Sequence, residues 1–232
     1  MFYDPVYMAI VVVFLLAGFI VQARLRSVFS RYGQIPLRLG LTGKQVAERM
    51  LRDNAISDVK VMSAEGRLTD HYNPAEKTIN LSPDVYNGAT ISAAAVAAHE
   101  CGHAVQHATG YQALQLRSKL VPFVQFASMA MNFIYIAMIF LAFSYALVNQ
   151  ALLVIIIAQS VVTLFALITL PVEFDASRRA LAWLKNTGVS YGEEQEKAET
   201  ALRWAAMTYL VAALAAVAQL LYFIMRFSGR RE

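Results

Sequence analysis

His99-Glu100-Cys101-Gly102-His103 sets two imidazoles four residues apart with a carboxylate between them. An α-helix rises about 1.5 Å per residue at 3.6 residues per turn, so positions i and i+4 share one face and can grip one cation. Glu100 leaves such a helix about 100° round from His99, which puts it beside the cation and not on it. That is where a general base must stand to take a proton from zinc-activated water. Five residues alone are a weak motif, because the same spacing arises where two core histidines and a surface glutamate only satisfy hydrogen bonds.

The surroundings favour a helix. Ser92–Ala108 reads SAAAVAAHECGHAVQHA, rich in the best helix former, without proline and with one interior glycine. It follows the turn-like Asn87-Gly88, and Thr90 or Ser92 can cap its first turn. Gly102 costs a helix about 1 kcal/mol relative to alanine, so a close neighbour is expected against that turn. Cys101 projects about 200° from His99 and reads as a packed small residue. As the only cysteine it allows no intrachain disulfide and fits a reducing compartment.

A catalytic zinc takes three protein ligands and a water. His107, eight residues past His99, would stand about 12 Å up a continuous helix, too far to share the ion, and reads as a supporting or helix-end residue. The favoured third ligand is Glu173 in Leu170-Pro171-Val172-Glu173, where two apolar crossings return the chain to the face of the histidines. The competing reading makes Glu173 a helix-start charge. Glu193, Glu194, Glu196 and Glu199 form a charge run typical of a solvated helix face.

The elements that must position these residues lie largely in membrane. The chain has 232 residues, 58% hydrophobic and only 16% charged, with a mean hydropathy of +0.47. Pro5–Ala23, Val121–Leu170 and Trp204–Met225 hold no Asp, Glu, Lys or Arg. At about 20 residues per crossing, the outer windows fit one span each and the middle one fits two, joined near Val148-Asn149-Gln150. The expected fold is a predominantly α, polytopic membrane protein with four transmembrane helices and a small α+β metallopeptidase-like cytoplasmic segment. Its parts are an N-terminal anchor (1–23), the α+β segment with the metal helix (24–118), a transmembrane hairpin (119–171), a cytoplasmic helical segment with the third ligand (172–203), and a fourth transmembrane helix with tail (204–232).

Met1-Phe2-Tyr3-Asp4 lacks the positive charge of a signal peptide, and Arg24, Arg26 and Arg31 follow the first span, which fits an uncleaved anchor with its N-terminus outside. Basic residues recur through 24–119 and put that segment in the cytoplasm. The net charge of +4 calls for anionic lipid headgroups and no nucleic acid. Within the segment, Thr42-Gly43-Lys44-Gln45 has capping-box form and predicts a helix over 43–54. Extended runs are expected at 58–63, 67–72 and 77–81, the last two as a hairpin about Asn73-Pro74. An exposed strand edge there could hold an extended peptide by main-chain hydrogen bonds, or the hairpin merely covers the core.

Thr69-Asp70-His71-Tyr72-Asn73-Pro74, Val85-Tyr86-Asn87-Gly88 and the run Ala97–His107 together resemble the YugP-like neutral zinc metallopeptidases of bacterial membranes, over nearly the whole chain. More distantly the chain is similar to HtpX-type and CAAX-prenyl membrane proteases, where a transmembrane hairpin follows the two histidines and a glutamate ligand opens a Glu-x-x-x-Asp motif. The resemblance implies zinc as cofactor, His99 and His103 as ligands, Glu100 as base and Glu173 as third ligand, in Glu173-Phe174-Asp175-Ala176-Ser177. Ser177 stands where those distant relatives carry aspartate, and Asp175 comes two residues early. Either Asp175 or Ser177 is therefore expected to fix a ligating histidine's tautomer. His71, Tyr72, Arg178 and Arg179 are the candidate donors to an oxyanion; His71 has turn packing as its alternative role, the arginines headgroup anchoring.

The expectation is a multi-pass zinc endopeptidase of the bacterial inner (plasma) membrane, its active site at the cytoplasmic face. Membrane proteins or amphipathic peptides would be its substrates, with a part in protein quality control by analogy with the family. The rival is a noncatalytic zinc-binding membrane scaffold, which would need a fourth protein ligand that the chain does not obviously offer.

Overall fold

The described residues of the charge-free windows lie in long helices of the computed structural model, which describes residues 4–66, 69–140 and 145–229. Among these residues the elements in chain order are α1 (Pro5–Tyr32), α2 (Gly43–Asp53), β1 (Lys60–Ser63), β2 (His71–Asn73), β3 (Thr78–Leu81), α3 (Pro83–Tyr86), α4 (Ile91–Ala108), α5 (Gln112–Phe140), α6 (Tyr145–Asn186) and α7 (Glu193–Ser228). Four of them, α1, α5, α6 and α7, are long and apolar enough to cross a membrane. The expected break at Val148-Asn149-Gln150 is not there: these residues belong to α6. Hydrocarbon demands that backbone groups be satisfied within the helix, and isolated polar side chains do not end one. The connection falls between Phe140 and Tyr145, outside the described residues, as do Arg67, at the start of one expected strand, and the tail arginines Arg230 and Arg231.

Two compact units divide the chain. The first takes Met1–Phe19, Leu116–Leu170 and Tyr209–Glu232. Leu152, Ile155, Tyr222 and Phe223 form a buried cluster in it, packed by Tyr7, Ile10 and Tyr135. The Gln159 amide and the Thr163 hydroxyl both donate to the Ala216 carbonyl, at 3.2 and 3.1 Å, tying α6 to α7 by the polar contacts that apolar surroundings favour. Asp4 and Arg226 pair at 3.7 Å, so the start of α1 and the last turn of α7 lie at one end of this unit. Leu15, Phe19, Phe126, Met129 and Phe133 are exposed, as lipid-facing side chains would be.

The second unit takes Ile20–Gln115 and Pro171–Thr208. The Thr42–Gln45 capping box forms and starts α2 at the residue expected. β2 and β3 make the expected hairpin, and β1 adds parallel to β3, giving the order β1-β3-β2 with β2 at an edge. At the centre lies α4, capped by Thr90, with Ala94, Ala97, Ala98 and Cys101 packed among Val46, Met50, Ile79, Leu81, Leu184 and Leu202. Burial pushes the Cys101 thiol up, and Cys101 is the packed small residue its direction implies. Small side chains let neighbours approach α4 on every side. At Gly102 the approach is tight: a Cβ there would stand 2.5 Å from the Ala176 carbonyl oxygen of α6.

Candidate metal centre

That glycine contact brings α6 against the turn of α4 that carries the histidines. His99, His103 and Glu173 offer one ligand atom each, all within 4.8 Å of one another. Glu173 Oε2 lies 3.3 Å from His99 Nε2 and 3.6 Å from His103 Nε2, and the two rings stand edge to face at 4.8 Å. Zinc bonds of about 2.1 Å at tetrahedral angles hold neighbouring donors about 3.4 Å apart, so the spacing fits one zinc ion. Glu173 is 2% exposed and His103 7%. A buried carboxylate with two imidazoles is an expensive cluster unless it shares a cation. Burial pulls the His103 pKa down, but the ring's hydrogen bond to the Glu173 carboxylate and the charges of Glu100 and Glu173 outweigh it and raise the pKa, so the surroundings favour positive charge at this point.

The hydrogen bonds behind the rings orient them. Ser177 Oγ lies 3.1 Å from His99 Nδ1. His103 Nδ1 lies 3.0 Å from Gln106 Oε1, while Gln106 Nε2 donates to the Val172 carbonyl at 2.8 Å and to Asp175 Oδ2 at 2.9 Å. With its NH2 donating to two acceptors, the amide must turn its oxygen to His103, so His103 Nδ1 carries a proton and Nε2 is the ring nitrogen left facing Glu173. Asp175 and Ser177 thus divide the support between the two rings: Ser177 touches His99 directly, and Asp175 reaches His103 through Gln106. Asp175 is itself gripped by Arg178 and Arg179, which engages both arginines in the site. The sequence reading overlooked Gln106. Its signal was its place three residues after His103, on the same helix face.

Glu100 is buried on α4, beside the three donors and not among them, and its Oε2 accepts the Tyr72 main-chain N–H at 2.9 Å. His107 does not reach the donor set; its Nδ1 lies 2.6 Å from the Tyr72 hydroxyl, so it supports the strand facing Glu100 and not a ligand. His71 is exposed, and its ring nitrogens bond the Thr69 carbonyl at 2.7 Å and the Asn80 amide at 3.2 Å. Alternate residues of a strand face opposite ways, and here Tyr72 turns to α4 while His71 turns away, as a hairpin-stabilising residue. Beside Ser177 runs a groove of about 410 Å³ between α6 and α7, with Phe174, Leu181 and Leu202 in its lining and Arg178, Lys185 and Arg203 adding positive charge.

Four helices of membrane-crossing length and a His-His-Glu trio of zinc dimensions define the class: a membrane protein with a candidate metal site. The chain belongs to the family described as "Putative neutral zinc metallopeptidase", which it matches over residues 7–228. It is similar to the "Putative membrane protease YugP" of Bacillus subtilis (strain 168), with 40% identity over 215 residues, 93% of each chain. No solved structure matches it.

Proposed function

We propose that this protein is a zinc-dependent endopeptidase of the membrane that cleaves peptide bonds of membrane-associated proteins or peptides. The observation that carries this reading is the trio of donor atoms, with Glu173 Oε2 at 3.3 and 3.6 Å from the two imidazole Nε2 atoms and Glu100 on the helix turn that carries the histidines. His99, His103 and Glu173 would hold the ion, and when bound, zinc supplies Lewis acidity at the scissile carbonyl and acidifies water. Glu100 takes the proton of the attacking water and delivers it to the leaving amine. The Tyr72 N–H holds Glu100 Oε2, which leaves Oε1 as the oxygen that carries the proton. Ser177 and Gln106 keep both Nε2 atoms aimed at Glu173. Among the described residues three donors gather here, where a closed structural zinc site would take four, and this favours catalysis over a scaffold role.

The basic residues of 24–119 support a centre on the cytoplasmic side of a bacterial inner membrane. Membrane proteins or amphipathic peptides are the substrates within reach there, a role in protein quality control. Purified protein should carry about one zinc per chain. Glu100→Gln should keep the metal and the fold while turnover drops by several orders of magnitude. Wild-type rates in that variant would sink the mechanism, and full zinc occupancy after His99→Ala with His103→Ala would move the ion elsewhere.

A further inference from the structure

We infer that His107 is a positioning residue for Glu100, acting through Tyr72; the inference rests on Glu100 being the base proposed above. Glu100 and His107 are seven residues apart on α4, two turns along one face and about 10 Å from each other. Strand β2 lies against that face, and one of its residues touches both. The Tyr72 main-chain N–H donates to Glu100 Oε2 at 2.9 Å, and its hydroxyl meets His107 Nδ1 at 2.6 Å, with the two rings tilted at 54°.

The clamp matters because β2 is weakly held otherwise. It is three residues long and, among the described residues, pairs with β3 alone, at the sheet edge. In an antiparallel ladder alternate residues turn their N–H and C=O away from the neighbouring strand. Tyr72, opposite Ile79, does so, and its outward N–H goes to Glu100. Among the described residues no second strand fixes how far this edge stands from α4, so a side-chain anchor sets the distance. With the phenol pinned at His107, the amide of the same residue is pinned at Glu100, and one carboxylate oxygen is held while the other stays in place for the proton. A pocket of about 210 Å³, lined by Tyr72, His107, Asp58 and Lys77 among others, adjoins the anchor. It gives the phenol room to swing away once its partner is lost.

The test uses the full-length zinc-loaded protein in detergent, with a cleaved peptide, and amide hydrogen exchange of the same variants without metal. Tyr72→Phe and His107→Leu should each lower kcat about tenfold, the worth of one hydrogen bond, with KM and zinc content unchanged. The double variant should be no slower than either single one, because both remove one contact. His107→Gln, which again offers a polar atom to the phenol, should recover most of the rate. Exchange at the Tyr72 amide should be slow in the wild type and faster in Tyr72→Phe, His107→Leu and Glu100→Ala. Unchanged kcat and unchanged exchange in the first two variants overturn the inference, and so does a loss that appears in KM or zinc content instead of kcat. Wild-type turnover in Glu100→Gln would remove the base and this inference with it, whereas intact loss of activity there with indifferent Tyr72→Phe and His107→Leu rejects the positioning role alone.

Discussion

Gln106 joins His103 to Asp175 by spending its amide on both, and its neutral side chain does so without adding charge to a buried cluster. A partner that orients a metal-binding histidine is commonly worth about 10- to 100-fold in metal affinity. Gln106→Leu should therefore weaken zinc binding within that range, read by competition with a chromogenic chelator. Glu173→Ala should weaken it far more than Asp175→Ala, since Glu173 Oε2 faces both Nε2 atoms while Asp175 acts on His103 through two hydrogen bonds, by way of Gln106. The reverse order would shift the third ligand by two residues along α6.

At the scale of elements, Gly102 sets the distance between α4 and α6. Alanine there would gain about 1 kcal/mol of helix propensity. Against it stands a Cβ placed 2.5 Å from the Ala176 carbonyl oxygen, a backbone atom that can yield only if the helix moves. Overlap of this kind in a packed core costs about 1–3 kcal/mol, so it wins. Gly102→Ala should lower the melting temperature of the metal-free protein and weaken zinc binding together; a rise in both would show that α6 does not pack on this turn. Thr42→Ala makes the contrast. Losing the α2 capping box should cost about 1 kcal/mol of stability, with zinc affinity untouched, because α2 carries none of the three donors.

For the whole molecule, four helices are long and apolar enough to cross a membrane, and crossing by all four would leave the start of α1 and the end of α7 on one side. Read by charge alone, Arg226, Arg230 and Arg231 at an external C-terminus oppose the positive-inside tendency. The ion pair of Arg226 with Asp4 eases that conflict, since the basic turn of α7 meets an acid at the start of α1. In a Cys101→Ala background, single cysteines at positions 4 and 229 should react with an impermeant thiol reagent from outside, while one at position 65 should be protected. Labelling at 65 alone would overturn the cytoplasmic placement proposed for the His99, His103 and Glu173 trio.

The elements and the core of the motif were legible wherever the signal lies within a turn or two of chain. The number of long apolar helices follows from stretches without charge, the start of α2 from a capping box four residues long, and α4 from its alanines and the i, i+4 histidines. The hairpin followed from Asn73-Pro74, but the parallel pairing of β1 with β3 did not, because no local residue records which strand an extended run will choose. Tertiary structure alone decided which groups stand behind the imidazoles. Ser177 reaches His99 across 78 residues and Asp175 reaches Gln106 across 69, contacts that depend on how closely α6 approaches α4 at Gly102. His107 likewise turned from a supposed metal support into the partner of Tyr72, because a strand 35 residues upstream settles on its face of the helix. Residue type and short spacing state what chemistry is available, and the long-range packing of α6 and β2 on α4 selects which atoms meet to perform it.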